Sequence, residues 1–317
     1  MGINVLSLCD GMACARIALD YCDIPVDNYF ASEIKTHAIQ CAKENWSDII
    51  EIGDVTKVFY KDGILITPEK EYKIKIDLVC FGFPCQSLSI LMPSDKRIGL
   101  EDLKRSGLFY ECFRILKEVN PKYWFVENVA SMKKEDVKRL SEYLGCNPIK
   151  IDSQIIAPAM RKRLYWTNIP LTPLKENGVS LQSILVKGYT ERKKARALIA
   201  NSGSMTFAHA PSLFRRYYKG RFGTIIFENE ENYNNCVKMF EKYKDLSATD
   251  YKEETKKDKK FIEECNKIRL LNQNELEACM TVPIGYTKML DYHKAANLLG
   301  DGWTIDVITN FFENIKI

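Results

Sequence analysis

The sequence predicts an α/β protein built around an open sheet of buried strands. Two observations predict it: strand and helix signals alternate over the first 170 residues, and the apolar runs end abruptly in small or polar residues. The run from Ile76 to Phe81, for example, leads directly into Gly82-Phe83-Pro84-Cys85. Ligands bind at the carboxyl ends of strands in such sheets, so Cys85 is a candidate nucleophile, with a core-filling cysteine as the alternative.

Length and composition limit the classes of protein to consider. A chain of 317 residues has room for a full α/β core and a second, smaller unit. Hydrophobic residues make up 46% and charged residues 28%, which is typical of a soluble globular protein, and no apolar run approaches the ~20 residues that span a bilayer. The N-terminus lacks the features of a signal peptide and indicates a cytosolic protein.

Cysteine and histidine usage argues against disulfide and zinc frameworks. The eleven cysteines are odd in number and scattered, and none is spaced as Cys-x-x-Cys. The three histidines, His37, His209 and His293, lie apart from any cysteine cluster. We therefore expect no structural metal.

Positive charge is concentrated in one window. Between Lys187 and Arg221 there are nine basic residues and one acidic residue, a net charge of +8, while the rest of the chain sums to −4. The aromatic residues Phe214, Tyr217, Tyr218 and Phe222 are interleaved with these cations. Such a surface favours nucleic acid as a partner, with a solvated basic face as the alternative.

The first three strands end in residues that suit an adenosyl ligand. The strand Ile3 to Leu8 precedes a small-residue turn, Cys9 to Ala13, that opens a helix through about Asp20. The strand Asn28 to Ser32 ends at Glu33, a suitable acceptor for a ribose diol, and the edge Ile49 to Ile52 ends at Asp54 and Val55, which suit an adenine edge. Each carboxylate alone could instead be a cap or a surface charge. The turn lacks Gly-x-Gly-x-x-Gly, so a dinucleotide fold has little support.

Further polar groups follow the later strands. The segment from Ser87 to Arg105 is polar and suits a mobile lid, and a helix is predicted from about Leu108 to Val119. Glu127 follows the apolar strand from Tyr123, so burial should raise its pKa and favour a protonated general acid, with a structural glutamate as the alternative. Arg161 and Arg163 lie on one face of another predicted strand and suit a phosphate or a base carbonyl.

These motifs, in this order, resemble those of the cytosine-5 DNA methyltransferase family. The matching segments are Ser7 to Ala15, Pro84-Cys85-Gln86, Glu127-Asn128-Val129, Arg161 with Arg163, the set Arg269, Glu275, Pro283 and Tyr286, and Leu299-Gly300-Asp301-Gly302-Trp303. Asp10, Ala159 and Trp303 look closest to the animal de novo methyltransferase branch. The resemblance implies a Rossmann-like S-adenosylmethionine-dependent methyltransferase sheet with a smaller inserted target-recognition lobe.

The resemblance also implies a domain plan. Residues 1–170 would form the catalytic and cofactor-binding domain, 171–268 the target-recognition lobe, and 269–317 a segment that returns to the catalytic domain through helices at Asn272 to Cys279 and Trp303 to Glu313. Within the lobe, residues 241–264 are dense in charges of both signs, which indicates an exposed helix or linker.

The implied reaction is methyl transfer from S-adenosylmethionine to C5 of a flipped cytosine in duplex DNA, through a covalent adduct of Cys85 with C6. The implied catalytic residues are Cys85, Glu127, Arg161 and Arg163. The implied cofactor site consists of Asp10, Gly11, Met12, Ala13, Glu33, Ile34, Asp54, Val55 and Trp303. The expected DNA-binding residues are Pro84, Gln86, Ser87, Asn128, Arg192, Lys194, Arg215 and Arg216. S-adenosylhomocysteine would be the product, and no metal is expected.

Double-stranded DNA is the expected partner, with no membrane association. A cognate restriction endonuclease is expected only as a genetic association. We expect the chain to be a monomer or homodimer. The expected location is the cytoplasm, in association with the nucleoid. A tRNA cytosine-5 methyltransferase is one alternative, although the Cys-Phe-Thr signature of that class is absent from this sequence. A non-catalytic DNA-binding relative is another, although both Cys85 and Glu127 are intact.

Overall fold

The chain divides into two compact units. The computed structural model describes residues 2–90, 92–196, 209–220 and 223–317. A unit that we call the sheet unit comprises Met1–Ile155, Arg161–Glu176 and Gly302–Ile317, and a unit that we call the helical unit comprises Ile156–Met160 and Asn177–Asp301. The helical unit thus extends further toward the C-terminus than the lobe predicted from the sequence, and only the last segment returns to the sheet unit.

The described strands all lie in the sheet unit. They are β1 (Ile3–Leu8), β2 (Val26–Ser32), β3 (Ile50–Glu51), β4 (Phe59–Lys61), β5 (Ile64–Ile66), β6 (Glu71–Lys73), β7 (Leu78–Phe81), β8 (Tyr123–Val129), β9 (Ile149–Asp152) and β10 (Lys162–Thr167). Seven of them form one sheet in the order β3-β2-β1-β7-β8-β10-β9, and β4-β5-β6 form a small antiparallel sheet.

The helices are divided between the two units. The sheet unit contains α1 (Cys14–Tyr21), α2 (Thr36–Asn45), α3 (Phe109–Val119) and α4 (Lys134–Leu144). The helical unit contains α5 (Ala210–Tyr218), α6 (Glu230–Phe240), α7 (Ala248–Thr255), α8 (Lys259–Asn266), α9 (Gln273–Cys279) and α10 (Tyr292–Asp301), and α11 (Ile305–Phe312) belongs to the sheet unit again. No helix in the described ranges is long and apolar enough to cross a membrane.

The strand order places a ligand-binding edge between β1 and β7. Strand β1 pairs in parallel with both β2 and β7, and β7 pairs in parallel with β8. The chain runs outward from β1 to β3 and then returns to β7, so the order reverses between these two central strands. Ligands of open α/β sheets bind at such a switch point, beyond the carboxyl ends of the strands. The turn after β1 and the Cys85 loop after β7 therefore meet at this edge.

Helices cover both faces of the large sheet. On one face, Leu6 and Phe81 belong to the same buried cluster as Phe109 of α3 and Leu140 of α4. On the other face, the ring of Phe125 contacts Phe311 and Phe312 of α11, with centroid separations of 5.2 and 5.3 Å. The C-terminal segment is therefore part of the core that supports β8, because burying these rings removes a large apolar area from water.

The predicted elements of the sheet unit agree closely with the observed ones. Strand β1 has the predicted bounds, and α3 begins one residue later than predicted. Strand β8 is longer than its apolar run, because it continues through Glu127 to Val129. The small sheet β4-β5-β6 has no counterpart among the predicted elements, since its strands have only three residues each, too few for a recognisable alternation.

The helical unit has its own aromatic core. Phe214 packs near Phe227, Phe240 and Phe261, with centroid separations of 6.0, 5.7 and 6.2 Å. The charged segment 241–264 contains α7 and most of α8, and these helices bury Tyr251, Phe261 and Glu264 while their Lys residues and remaining Glu residues are exposed. The expectation of an exposed helix therefore describes only the outer faces of α7 and α8.

Glu275 anchors the segment that the domain plan assigned to the catalytic domain. Its fully buried carboxylate lies 2.7 Å from the Arg269 guanidinium and also accepts hydrogen bonds from the backbone N–H groups of Val186 and Asn272. The Arg269 guanidinium also donates to the Lys187 carbonyl. These bonds attach residues 269–275 to residues 186 and 187, which explains why this stretch belongs to the helical unit.

We predict that Glu275→Ala destabilises the helical unit by about 3 kcal/mol, because it leaves Arg269 and two backbone donors without their acceptor. Urea unfolding followed by circular dichroism checks this. All four tryptophans (Trp46, Trp124, Trp166, Trp303) lie in the sheet unit, so their fluorescence reports that unit separately. The control is Glu253→Gln, which breaks an exposed pair with Lys256 and should leave both transitions unchanged. An unchanged midpoint in Glu275→Ala would contradict the anchoring role.

Candidate active site

Cys85 lies on a tight loop directly after β7. The backbone N–H groups of Leu88 and Ser89 donate to the Cys85 carbonyl at 3.0 and 2.9 Å, which closes a turn around the cysteine. The Asn128 side chain donates to the Phe83 carbonyl at 2.9 Å and holds the start of the loop against β8. Cys85 itself is partly exposed. The loop therefore presents the thiol at the ligand-binding edge on a braced backbone.

Two side chains predicted to contact DNA are used to hold this loop. Asn128 is buried and bonded to the loop as described, and Ser87 is fully buried. The Ser87 hydroxyl donates to the Asp102 carboxylate at 2.5 Å, and the Ser87 carbonyl accepts from Gly99 N–H at 3.0 Å. Pro84 is partly exposed and Gln86 is exposed, so these two remain accessible beside Cys85. Sequence reasoning missed Asp102, because no local pattern relates it to Ser87.

Glu127 and Arg163 form a buried ion pair. Strand β10 runs antiparallel to β8, with Tyr165 opposite Glu127 and Arg163 opposite Val129. The Nε atom of Arg163 lies 2.8 Å from Oε1 of Glu127, and both side chains are largely buried. Burial raises the pKa of Glu127, whereas the charges of Arg163 and Arg161 lower it. The carboxyl group can therefore exchange a proton with a ligand while its position is fixed.

Arg161 is buried and interacts electrostatically with Cys85 and with both members of this ion pair. Its backbone N–H donates to Asp152, and its guanidinium donates to the Gly302 carbonyl. Burial and the charge of Arg163 lower its pKa to about 10, against the charges of Glu127 and Cys85, which act in the opposite direction. A cation close enough to Cys85 to interact with its charge favours the thiolate form of that cysteine.

The turn after β1 bends sharply to open α1. Cys9, Gly11 and Ala13 have φ values of 54°, 65° and 61°, in the left-handed region. The Asp10 backbone N–H donates to the Ser32 carbonyl at 3.1 Å, and the Asp10 carboxylate accepts from the Tyr29 hydroxyl at 2.6 Å. Burial raises the pKa of Asp10 to about 6, against hydrogen bonds from Ser7 and Tyr29 that lower it. Met12 and Ala13 are fully buried beneath the turn.

Glu33 accepts hydrogen bonds from backbone N–H groups, which is the kind of capping role that the sequence left open. Its Oε2 accepts from the Gly11 backbone N–H at 2.8 Å, and its Oε1 accepts from Ile34 N–H and Lys35 N–H at 2.8 and 2.9 Å. Glu33 therefore joins the ends of β1 and β2 into one rim. Next to it, the Ile34 side chain is 70% exposed, an apolar surface that a planar ligand can cover.

The end of β3 completes this rim. Asp54 caps a short 3-10 helix (Val55–Lys57) by accepting from Thr56 N–H at 2.9 Å, and Val55 is buried. Ser32 bonds the Gly53 carbonyl at 2.7 Å and so joins the ends of β2 and β3. The residues predicted to bind an adenosyl ligand thus lie on neighbouring strand ends of one unit.

Two acidic side chains on this side of the sheet have unsatisfied oxygens. Among the described residues, Oδ2 of Asp10 and both carboxylate oxygens of Glu51 are buried without a hydrogen-bond partner. Burial and the charge of Asp10 raise the pKa of Glu51 to about 7. Sequence reasoning missed Glu51, whose only signal is its position one residue inside the end of β3. Buried acidic groups without partners are costly unless a cation binds them.

Several described cations of the basic window form hydrogen bonds within the helical unit. Arg192 lies over the Tyr217 ring at 3.7 Å and donates to the carbonyls of Gly223 and Tyr217. Lys194 donates to the carbonyls of Ala157 and Val179, and Arg215 donates to the Leu246 carbonyl. Arg216 is exposed. Arg221 and Phe222 lie outside the described residues.

The chain is similar in sequence to known methyltransferases. A sequence profile of the C-5 cytosine-specific DNA methylase family matches residues 3–144. The type II methyltransferase M.NgoBV of Neisseria gonorrhoeae is 32% identical over 147 residues, which are 45% of this chain and 31% of that protein. The type II methyltransferase M1.ScrFI of Lactococcus lactis subsp. cremoris is 27% identical over 262 residues, 74% of this chain and 61% of that protein. The chain thus spans less than two thirds of either relative.

The fold comparison covers nearly the whole chain. The crystal structure of a DNMT2 mutant from Spodoptera frugiperda matches with a TM-score of 0.66 at 18% identity, over 97% of this chain and 98% of that one. This confirms the predicted fold class, a Rossmann-like methyltransferase sheet. The matched residues 3–144 include the Cys85 loop, Glu127 and the turn after β1, so this part of the chain is similar to the C-5 cytosine-specific DNA methylase family.

Proposed function

We propose that this protein is a DNA cytosine-5 methyltransferase that methylates a cytosine flipped out of duplex DNA. The observation that carries the proposal is the arrangement of Cys85, Glu127 and Arg163 in one unit. A partly exposed thiol lies on the braced loop after β7, and a buried carboxyl group fixed by an ion pair lies on the neighbouring strand β8. Both groups interact electrostatically with Arg161. A nucleophile, a proton donor and a cation are the groups that activation of cytosine at C5 requires.

The first step is attack of the Cys85 thiolate on C6 of the cytosine. As the sulfur–carbon bond forms, the C5=C6 electron pair moves to C4=C5, and the C4=N3 pair takes up the proton that Glu127 gives to N3. C5 becomes enamine-like and nucleophilic. Once C5 has taken the methyl group, the C4=N3 double bond re-forms and the N3 proton returns to Glu127. A base then removes the C5 proton, and its electron pair re-forms the C5=C6 double bond as the thiolate leaves C6.

The two arginines have separate roles in this proposal. Arg163 fixes the Glu127 carboxyl through its Nε atom, and its remaining guanidinium surface suits the cytosine O2. Arg161 lowers the free energy of the Cys85 thiolate and braces Gly302 through its carbonyl. The base must leave the helix to reach these groups, at a cost of a few kcal/mol that is offset by contacts in the pocket.

The residues present at the strand ends fit S-adenosylmethionine. When bound, this cofactor supplies an electrophilic methyl group on a positively charged sulfur, and it also carries an ammonium group. The unpartnered oxygens of Asp10 and Glu51 suit cationic groups of this kind. Gly11 to Ala13 suit the methionine part of the cofactor. The rim at Glu33 and Ile34 suits the ribose and the adenine, and Asp54 and Val55 suit the edge of the adenine. Trp303 was assigned to this pocket by the resemblance.

Duplex DNA is the proposed substrate, with the helical unit as the target-recognition lobe. Because Arg192, Lys194 and Arg215 bond to carbonyls of their own unit, we propose that they shape this lobe, and that exposed residues such as Gln86 and Arg216 contact DNA. We also propose a cognate restriction endonuclease that is linked only genetically, since the relatives compared are named type II methyltransferases. Association with the nucleoid belongs to the same proposal.

We expect Cys85→Ala to abolish methylation, a loss of at least about 10³-fold, while duplex binding persists. Bisulfite sequencing of plasmid DNA from cells that express each variant measures the mark and its sequence context together. The control is Cys146→Ala, which removes another partly exposed thiol and should methylate as the wild type does. Undiminished methylation by Cys85→Ala would refute the covalent mechanism.

The purified protein should transfer methyl groups to duplex DNA and not to tRNA. Radiolabelled S-adenosylmethionine and equal masses of the two substrates provide the test. Transfer to tRNA alone would replace the proposed substrate with the alternative. Duplex binding without transfer to either would indicate a non-catalytic relative.

We predict that affinity for S-adenosylhomocysteine falls as the pH drops through about 6, the raised pKa of Asp10. Asp10 is ionised above this pH and attracts the ligand ammonium, and its protonation below it removes that attraction, with a fall of up to about tenfold per pH unit. Tyr29→Phe removes a hydrogen bond that lowers this pKa, so the fall should begin at higher pH.

Isothermal titration calorimetry between pH 5 and 7 measures this dependence. Tyr60→Phe is the matched control, because the Tyr60 hydroxyl bonds the Ile74 carbonyl and not a carboxylate. A pH-independent affinity in the wild type would exclude Asp10 from the site.

A further inference from the structure

Trp303 is held rigidly at the start of the returning C-terminal segment. Its backbone N–H donates to the Cys14 sulfur at 3.3 Å, and the carbonyl before it accepts from Arg161. Its ring packs edge to face on Phe125, with centroids 5.3 Å apart and an interplanar angle of 62°. The residue is only 8% exposed. Bonds on both sides of its backbone and a ring contact thus fix the direction of its indole N–H.

That N–H donates a hydrogen bond to the Glu127 carboxyl group. The contact depends on Gly82, which lies between β7 and Cys85. A Cβ atom at position 82 would lie 2.7 Å from the indole nitrogen and 3.2 Å from Oε2 of Glu127. Glycine is therefore required at this position for the indole and the carboxyl to meet, since contacts shorter than about 3 Å would force one of them away.

The carboxyl of Glu127 is thus held by two donors from different parts of the chain. Arg163, on the neighbouring strand β10, lies 2.8 Å from Oε1, and Oε2 lies on the side where the indole nitrogen and Gly82 converge. Both donors favour the ionised carboxylate over the neutral acid, because each gives a hydrogen bond to an acceptor that is stronger when charged. An indole donor adds no net charge to the buried site, unlike a further cation.

We propose that Trp303 is a positioning residue for Glu127, whose carboxyl it orients and whose ionised form it stabilises. The inference deepens the proposed function, and its reaction step rests on that function. The hydrogen bond between Trp303 and Glu127 is independent of it. When the O–H bond of Glu127 breaks and the N3–H bond of the cytosine forms, a buried carboxylate is left. The indole N–H is already aimed at that carboxylate, so the negative charge appears beside a preorganised donor.

The inference explains why the site requires the last segment of the chain. The nucleophile loop, β8 and β10 precede the helical unit, whereas Trp303 follows it. The indole therefore joins the two ends of the sheet unit at the reacting carboxyl. This role is separate from any contact of Trp303 with the cofactor, because it depends on the hydrogen bond from the indole nitrogen to Glu127.

The test is the titration of Glu127 followed by carbon NMR in protein labelled at the glutamate carboxyl carbon, with the resonance assigned from Glu127→Gln. In Trp303→Phe, which keeps a ring and removes the N–H, Glu127 should titrate at a pH about one unit higher than in the wild type. Trp166→Phe is the matched control, since the Trp166 indole donates to the Ser141 hydroxyl at 3.0 Å. Its Glu127 titration should match the wild type.

Gly82→Ala tests the same contact with the tryptophan retained. The added methyl group should displace the indole and raise the pKa of Glu127 as Trp303→Phe does. This variant also keeps the inference testable if Trp303→Phe does not fold. An unchanged Glu127 titration in the folded variants, or an equal rise in Trp166→Phe, would overturn the inference.

Methyl transfer to duplex DNA, measured in parallel, separates this inference from the proposed function. Because protonated Glu127 is the active form, activity falls as pH rises through its pKa, so Trp303→Phe should have a lower maximal rate and a basic limb moved to higher pH. If the wild type is inactive but the Glu127 titration shifts as expected in Trp303→Phe, the proposed function is refuted and the hydrogen bond is supported. An active wild type whose Trp303→Phe variant has the same pH profile would remove the inference alone.

Discussion

The ion pair between Glu127 and Arg163 is the interaction on which the site depends. Placing a carboxylate and a guanidinium in a buried environment costs free energy that only close, well-aligned contact offsets. The 2.8 Å contact is possible because β10 runs antiparallel to β8, which makes Arg163 a diagonal neighbour of Glu127 on the same face. A slip of one residue in this register would move Arg163 to the opposite face and leave Glu127 without its partner.

The sheet brings chemically different groups to one edge. The end of β1 carries Asp10, the end of β7 carries Cys85, and β8 carries Glu127, and these strands are neighbours in the order β1-β7-β8. The groups lie far apart in the sequence, so only the parallel pairing of β1, β7 and β8 places them together. The unpartnered oxygens of Asp10 and Glu51 cost stability in the free protein, as is common where a fold is prepared for a ligand.

Much of the sheet unit follows from local patterns. Apolar runs with abrupt ends predict β1, β7 and β8, and the amphipathic stretch before Asn120-Pro121 predicts α3. The position of Cys85 after β7 follows in the same way, whereas Glu127, predicted to follow its strand, lies within β8. The three-residue strands β4 to β6 could not be predicted from local patterns, because their stability comes from packing with distant residues. For example, the guanidinium carbon of Arg114 lies 4.6 Å from the centroid of the Phe59 ring.

Long-range partners are the features that the sequence could not predict. Nothing near Ser87 indicates Asp102, and nothing near Trp303 indicates that its indole bonds Glu127, because both contacts depend on how distant segments return to the sheet. The basic window shows the same limit. Its composition predicts a polyanion surface, but Arg192 and Lys194 are directed to backbone carbonyls by the tertiary structure of the helical unit.

The most direct measurement of the central claim is trapping with duplex DNA that contains 5-fluorocytosine at the methylated position. Fluorine at C5 cannot be removed as a proton, so the proposed reaction should stop at a covalent protein–DNA complex that forms only with S-adenosylmethionine present. Peptide mass spectrometry should place the bond on Cys85, with the Glu127→Gln variant forming the complex far more slowly. A bond on another residue, or complete methyl transfer without any covalent complex, would contradict the account.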